Sequence, residues 1–153
     1  MSIVVRVQTQ DFNVADELLL LRQQSGQVGA IVNFVGVVRD INDNEDIATL
    51  ELEHYPGMTE KTIAEIVGQA QQRWQLLGVT VIHRVGKLTP ADQIVLVAVS
   101  SLHRGEAFQA CEFIMDFLKT QAPFWKKELT AAGERWVDAR AVDQQACKRW
   151  LEV

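Results

Sequence analysis

The chain has few of the residues that build metal centres and redox motifs. Only two of its 153 residues are cysteine and three are histidine. Cys111 and Cys147 are isolated and lack the C-x-x-C spacing of redox motifs and zinc knuckles. His54 and His83 alternate with apolar residues, which favours core histidines over metal ligands. We therefore expect no metal site and no bound cofactor.

Long apolar runs and an excess of basic charge are also missing. No run reaches the roughly 18 residues that a membrane span needs, and the first residues lack the pattern of a signal peptide. The net charge is −5 and the pI is about 5.2, whereas nucleic-acid binders usually carry a basic face. Walker, G-x-G-x-x-G and G-x-S-x-G motifs are absent. These absences predict a cytoplasmic protein that binds neither membranes nor nucleic acid.

What is present is an ordinary globular composition, with 48% hydrophobic and 23% charged residues. The length predicts one domain over residues 1–153. The short hairpin connections favour an α+β fold with a mixed, mostly antiparallel sheet and flanking helices. Residues 28–38 are expected to form a strand covered on both faces, and residues 39–46 a mobile polar loop. Strands are predicted near 4–7, 28–38, 49–55, 79–85, 94–100, 124–129 and 135–139, and helices near 13–23, 59–77, 104–121 and 142–150. The alternation in 49–55 puts Leu50, Leu52 and His54 on one face of a half-buried strand. Thr59 is expected to cap the second helix and Gly78 to end it.

The most informative segment is residues 119–128, K-T-Q-A-P-F-W-K-K-E. Three lysines surround a proline and two aromatic residues, and no carboxylate occurs from Phe117 through Lys127. A local group of cations on an acidic chain indicates a pocket for a small anion.

Lys119 follows the apolar stripe of the predicted helix 104–121, which comprises Ala107, Phe108, Cys111, Ile114, Met115 and Leu118. It lies four residues after Met115, so we expect its amine to lie at the edge of the stripe and to be partly desolvated. The alternative is a lysine that extends to solvent at a helix C-terminus.

In an extended segment, Phe124, Lys126 and Glu128 share one face, whereas Lys127 lies on the other. Glu128 is then expected to pair with Lys126 and hold it in place. The alternative is an edge strand that lysines protect from aggregation.

His103 and Arg104 open the long helix directly after a predicted buried strand. Free backbone N–H groups, an imidazole and a guanidinium there suggest a phosphate site. The alternative is simple capping of the helix by Ser101. Lys119 and Arg104 are separated by roughly 22 Å along one helix, so either there are two sites or a symmetric dimer completes one shared site.

Several motifs together resemble the large, catalytic subunits of molybdopterin synthases, over about residues 4–150. They are E-H-Y-P-G-M at 53–58, H-R-V-G at 83–86, His103-Arg104, and Lys119 through Glu128. The resemblance implies an α/β-hammerhead fold and a homodimer at the centre of a heterotetramer. Small ubiquitin-like sulfur-carrier subunits would insert a C-terminal Gly-Gly thiocarboxylate into it. The implied reaction converts cyclic pyranopterin monophosphate to molybdopterin by adding two dithiolene sulfurs.

The same resemblance implies roles for individual residues. Lys119 and Lys126 would be catalytic. The substrate-binding positions would be Val37, Val38, Arg39, Lys119, Lys126, Lys127 and Glu128, with His103 and Arg104 expected from the other chain. Phe34, Met115 and Arg140 would be further pocket residues.

Two other functions remain open at this point. A lysine enzyme could form a Schiff base with a phosphorylated carbonyl compound. A non-catalytic anion sensor or assembly protein would bind the anion without turnover.

Overall fold

The computed structural model describes residues 2–137 and 141–151. Helices and mostly antiparallel strands mix along this part of the chain, which confirms the predicted α+β class. In chain order the elements are β1 (Ser2–Gln8), α1 (Val14–Gln23), β2 (Ala30–Val37), β3 (Ile41–Asn42), β4 (Glu45–His54), α2 (Met58–Arg73), β5 (Gly78–Arg84), β6 (Gly86–Leu88), β7 (Gln93–Ser101), α3 (Arg104–Gln121), β8 (Phe124–Thr130), β9 (Gly133–Val137) and α4 (Ala141–Lys148).

The first sheet has the strand order β1-β5-β7-β2. β1 pairs with β5 in parallel, and the other two pairs are antiparallel. Successive side chains point to opposite faces, so Val97 and Val99 pack with residues of α2 and α3, whereas Leu96 and Ala98 pack with Leu21 of α1. The central strands β5 and β7 are therefore buried from both sides.

The second sheet has the order β3-β4-β8-β9, and β6 also pairs with β4. Leu50 and Leu52 point into a small core with Val38, Val85 and Leu88. This confirms the inward face predicted from the alternation in β4.

α3 confirms its predicted bounds and packs its apolar stripe against β7 and α2. Phe113 anchors an aromatic cluster in which Trp74 and Trp150 meet it edge-on, with ring centroids 5.5 and 5.4 Å away. Phe108 is an exception to the predicted stripe, because its side chain is 59% exposed.

The prediction of a mobile loop at 39–46 is wrong. β3 and β4 form a tight hairpin with Asp43 and Asn44 at its turn, at φ of +52° and +62°. Asn and Asp tolerate this left-handed conformation, which a two-residue hairpin turn requires at both positions. The polar composition concealed a turn with specific geometry.

The prediction that 28–38 is covered on both faces is correct for most of β2 and wrong near its end. Ala30 and Val32 pack against the core that contains α2 and α3, and Ile31 and Val35 pack against the core around α1. β2 lies at the end of the first sheet, where the described residues pair it with β7 alone. Phe34 and Val37 are 39% and 47% exposed. An apolar run does not distinguish a central strand from an edge strand, because both use β-branched and aromatic residues.

The ends of α2 differ from the prediction as well. Gly57 is the N-cap, and Thr59, the predicted cap, is buried within the first turn. The Thr59 hydroxyl accepts from the Tyr55 N–H at 3.0 Å and donates to the Pro123 carbonyl at 3.1 Å. Thr59 therefore ties α2 to the segment between α3 and β8. Gly78 begins β5 instead of ending the helix, since α2 stops at Arg73.

Within the described ranges, no helix is long and apolar enough to cross a membrane.

Candidate active site

A cavity of about 370 Å³ is lined by both sheets and by the C-terminal turns of α3. β2 and the residues after it form one wall, α3 and β8 another. Its lining residues are Phe34, Val35, Gly36, Val37, Val38, Arg39, Asn42, Ile47, Leu50, His83, Ile94, Val95, Met115, Leu118, Lys119, Ala122, Phe124, Lys126, Glu128, Val137 and Asp143.

Lys119 and Lys126 reach this cavity from two different elements. Lys119 lies in the last turn of α3, where Met115 and Leu118 also line the cavity. Ala122, just before Pro123, is extended and ends the helix, so β8 can return along the cavity with Lys126 facing it. The structure therefore brings together the two lysines that the resemblance singles out.

The expected burial of Lys119 is not what the structure shows. Its side chain is exposed, whereas Lys126 is half-buried. Leu118 in the same turn of α3 is buried, so Lys119 lies beside the buried face of the helix and not on it. It lines the cavity at its open side.

The alternation predicted for β8 is confirmed. Phe124, Lys126 and Glu128 line the cavity, whereas Trp125 and Leu129 are exposed on the opposite face. Lys127 is on that outer face as well. Its Nζ lies 3.6 Å from Glu51 and 3.7 Å from Glu134, and 5.4 Å from the centre of the Trp136 ring. The structure does not bring Lys127 to the cavity.

Glu128 is buried in the cavity wall, but its partners differ from the prediction. Its carboxylate accepts from Asn42 Nδ2 at 2.8 Å and from Arg135 Nε at 3.0 Å. Asn42 in turn accepts from Arg39 Nη2 at 3.1 Å. The expected pairing of Glu128 with Lys126 is therefore replaced by an amide and a guanidinium, which together satisfy both carboxylate oxygens.

His83 lies deep in the cavity wall and is stacked on Phe124, with ring centroids 3.8 Å apart and an interplanar angle of 19°. The pKa of His83 is lowered to about 4, chiefly because the ring is buried. The hydrogen bond to the Arg84 carbonyl raises this pKa, whereas the charges of Lys126, His54 and Lys119 lower it further. The imidazole is therefore neutral near pH 7. The fields of both cavity lysines act on this one ring.

Apolar side chains complete the site. Phe34, Val37, Val38 and Met115 all line the cavity, as the resemblance implies for the pocket. Val38 and Met115 are buried, but Phe34 and Val37 are exposed on the edge strand β2. One side of the cavity is thus an open apolar surface.

His103 and Arg104 do not line this cavity, because they are at the opposite end of α3 from Lys119. Both are exposed in this chain. His103 occupies the N-cap position without a side-chain capping bond, and the Ser101 hydroxyl bonds to the His103 carbonyl. Arg140, the last residue predicted for the pocket, lies outside the described residues.

The cavity is suited to an anionic ligand. Arg39, Lys119 and Lys126 line it. Of the two carboxylates that line it among the described residues, Glu128 is engaged by Arg135. Neither cysteine supplies a sulfur nucleophile there. Burial raises the pKa of the Cys111 thiol to about 12, and Cys147 donates to the Asp116 carbonyl at 3.0 Å. In the described residues, no three His, Cys, Asp or Glu side chains are grouped as metal ligands.

His83 and Asn42 are two of the polar cavity residues that sequence reasoning missed. His83 was interpreted only as a core or supporting histidine, and the signal that could have placed it is its position near the end of a buried strand. Asn42 was missed because it fell in a segment interpreted as a loop. Recognising Asp43-Asn44 as a hairpin turn would have placed Asn42 on a strand paired with β4.

Comparisons with known proteins agree with this geometry. A sequence model of the MoaE protein family matches residues 7–121. The molybdopterin synthase catalytic subunit of Ralstonia nicotianae is 62% identical over 146 residues, which cover 95% of this chain and 83% of that protein. A solved molybdopterin biosynthesis MoaE protein from Burkholderia ambifaria superposes with a TM-score of 0.84 at 53% identity, covering 98% of both chains.

A more distant solved structure has the same fold. It comes from Helicobacter pylori and is described as a protein–protein complex of subunits 1 and 2 of molybdopterin-converting factor. The TM-score is 0.70 at 23% identity, over 90% of this chain and 92% of that one. The family model and the two more similar relatives establish that this chain belongs to the MoaE family, the catalytic subunits of molybdopterin synthase.

Proposed function

We propose that this chain is the catalytic subunit of a molybdopterin synthase, a sulfurtransferase of molybdenum cofactor biosynthesis. Its reaction converts cyclic pyranopterin monophosphate to molybdopterin by adding the two dithiolene sulfurs. The observation that carries this proposal is that Lys119 and Lys126, from different elements, line one cavity in a member of this family.

The charge of the cavity supports a phosphorylated substrate. Arg39, Lys119 and Lys126 offer three cationic groups on a chain whose net charge is −5. Such a local concentration of positive charge attracts a small anion without attracting polyanions in general. The apolar residues Val38 and Met115 beside these cations provide a surface for a pterin ring.

The state of the cysteines supports an external sulfur source. The Cys111 thiol is buried and resists ionisation, and Cys147 is buried near the end of α4. An external source is also what the resemblance implies, with sulfur arriving as the C-terminal Gly-Gly thiocarboxylate of a small ubiquitin-like carrier subunit. The open apolar side of the cavity at Phe34 and Val37 fits a narrow, extended peptide tail.

The two lysines can assist the transfer in two ways. Their ammonium groups can stabilise the oxyanions that develop as the thiocarboxylate reacts. They can also move protons as the cyclic phosphate opens. Lys126 is the better placed for a fixed electrostatic role, because it is half-buried on a strand, whereas Lys119 is exposed at the cavity mouth.

The test is turnover with a thiocarboxylated carrier and cyclic pyranopterin monophosphate. We expect Lys119→Ala and Lys126→Ala each to lower the rate by at least about 100-fold, the scale of a lost acid–base or oxyanion contact. Lys61→Ala, which removes an exposed lysine of α2 remote from the cavity, is the matched control and should retain wild-type activity. Absence of dithiolene product with the wild-type chain would exclude the proposed function.

Borohydride treatment separates this proposal from a Schiff-base enzyme. We expect no covalent adduct of the substrate on Lys119 or Lys126 after reduction. A trapped adduct whose formation requires either lysine would favour the Schiff-base reaction instead.

A further inference from the structure

A series of hydrogen bonds connects a buried carboxylate to an arginine at the cavity. Arg135 Nε donates to Glu128 at 3.0 Å, and Asn42 Nδ2 donates to the other oxygen of Glu128 at 2.8 Å. Arg39 Nη2 then donates to Asn42 Oδ1 at 3.1 Å. Glu128 and Asn42 are only 5% and 8% exposed.

The carboxylate fixes the orientation of the Asn42 amide. An ionised carboxylate only accepts hydrogen bonds, so the NH₂ group of Asn42 has to face Glu128. The amide oxygen is then directed to Arg39, whose guanidinium only donates. Reversing the amide would place two donors, Asn42 Nδ2 and Arg39 Nη2, against each other. The identity of residue 128 therefore decides how residue 42 meets Arg39.

The backbone around this series is held from several directions. Arg135 Nη2 donates to the Asn42 carbonyl at 2.9 Å, and Arg135 Nη1 lies 3.4 Å from Glu45. Glu128 is in register with Arg135 on β9 and with Leu50 on β4. The hairpin that carries Asn42 is thus attached to β8, which delivers Lys126 and Glu128, and to β9, which carries Arg135. Arg39 itself follows β2 and has an exposed side chain that needs such support.

We propose that Asn42 is a positioning residue that holds the Arg39 guanidinium at the cavity wall, where it meets the anionic group of the substrate. Glu128 acts on Arg39 through Asn42. This inference rests on the proposed function, and it assigns a role to a residue that the family resemblance did not single out.

A double-mutant cycle tests the coupling of Asn42 to Arg39. Asn42→Ala should raise KM about fivefold with kcat changed less than about twofold, since a charge-assisted contact that orients Arg39 is lost. Arg39→Ala should raise KM more. If Asn42 acts only through Arg39, the double variant should match Arg39→Ala alone. A purely structural role for Asn42 would instead make the two effects multiply, and that result would overturn the proposal.

Asn44→Gly is the matched control, because it removes a side chain from the same hairpin while a glycine suits the φ of +62° there. We expect its KM to equal that of the wild type. A KM raised as much as in Asn42→Ala would show that any change in the hairpin is sufficient, and would contradict the specific role of Asn42.

A second pair of substitutions tests the proposal without depending on how well Asn42→Ala folds. Asn42→Asp alone places its carboxylate against that of Glu128. Glu128→Gln alone either places the new amide NH₂ against Asn42 Nδ2, or turns the Asn42 amide so that its NH₂ faces Arg39. The combination Asn42→Asp with Glu128→Gln restores every donor–acceptor pair in the series with polarity exchanged. We expect the combination to have a KM within about twofold of wild type, when each single change raises it about fivefold. A combination as poor as the worse single variant would overturn the proposal.

Failure of this inference is distinguishable from failure of the proposed function. All the comparisons are ratios to wild-type turnover with the carrier and cyclic pyranopterin monophosphate. If the wild type makes no product, the function is wrong. If the wild type is active but the cycle is multiplicative, only the role of Asn42 is wrong.

Discussion

Two residues of the cavity wall, His83 and Phe124, show how burial changes the chemistry of a side chain. The stacked rings keep water from most of the imidazole, and its Nδ1 lies 2.7 Å from the Arg84 carbonyl. A neutral imidazole satisfies this carbonyl through Nδ1–H, and protonation would add an unfavourable charge close to Lys126 and Lys119. His83 is consequently the residue whose titration should affect folding most clearly.

We predict that His83 makes the protein less stable in mild acid. The pKa of His83 is lowered from 6.5 to about 4 in the folded state by burial first, and by Lys126, His54 and Lys119. As the pH falls below 6.5, the unfolded chain takes up a proton that the folded chain refuses, so stability decreases until about pH 4. The linkage amounts to about 2 kcal/mol by pH 5. Urea unfolding of wild type and His83→Phe at pH 7.5 and 5 measures it.

The expected result is a smaller loss of unfolding free energy between these pH values in His83→Phe than in wild type. Phe keeps the stacking on Phe124 but cannot titrate. His103→Phe, at an exposed position, is the control and should lose as much as wild type. Equal losses in wild type and His83→Phe would show that other groups cause the acid sensitivity.

Single residues also mark the limit of sequence reasoning. The residue types of Lys119 and Lys126 and the proline between them are enough to suggest a cationic site. They do not reveal the partner of Glu128. Asn42 is 86 positions away and meets Glu128 only when β3 and β8 join one sheet. The nearby Lys126 was the natural choice on sequence grounds, and it was wrong.

At the scale of elements, the unit formed by α3, Pro123 and β8 was predictable. Its helix has a regular apolar stripe that ends before Pro123, and in an extended segment after the proline the side chains have to alternate between two faces. The hairpin of β3 and β4 was not, because β3 has only two residues and the turn depends on two residues with positive φ.

The close approach of Gly29, just before β2, to Leu102, just before α3, allows a test of how tightly these two segments pack. A methyl group at Gly29 would lie 2.1 Å from the Leu102 carbonyl oxygen, a backbone atom of the residue before the N-cap of α3. We predict that Gly29→Ala lowers the free energy of unfolding by about 1–3 kcal/mol, because the backbone has to shift. Urea denaturation midpoints measure the change.

Gly26→Ala is the matched control in the same turn, since a methyl group there meets nothing within 4 Å. Its unfolding free energy should stay within about 0.5 kcal/mol of wild type. Similar destabilisation by both substitutions would show that the close approach of Gly29 to Leu102 is not the cause of the lost stability.

At the scale of the whole molecule, the two ends of α3 present a geometric problem. Lys119 lines the cavity, whereas His103 and Arg104 are roughly 22 Å away along the helix axis. We propose a symmetric homodimer in which each chain supplies His103 and Arg104 to the cavity of its partner. Phe34 and Val37 on the edge strand β2 are exposed and apolar, so they form a surface beside the cavity that another chain can contact.

Mixed dimers test this arrangement. Lys119→Ala and Arg104→Ala chains should each be nearly inactive alone. When they are unfolded, mixed in equal amounts and refolded, half of the dimers should contain both kinds of chain, each with one intact site. Recovered turnover should approach about a quarter of the wild-type value under statistical exchange. No recovery, with mixed dimers demonstrated by a tag on one chain, would show that both residues act within one chain or at separate sites.

The sequence by itself determined the α+β class, the limits of α3, the alternation along β4 and β8, and the cationic character of segment 119–128. These features follow from local periodicity, helix-ending residues and charge, which act between near neighbours in the chain. Tertiary structure alone decided that Lys119 is exposed, that Lys127 faces away from the cavity, and that Glu128 binds Asn42 and Arg135. It also decided that His83 is buried against Phe124. Burial and long-range hydrogen bonds depend on how the two sheets meet, and no local pattern in the chain encodes that.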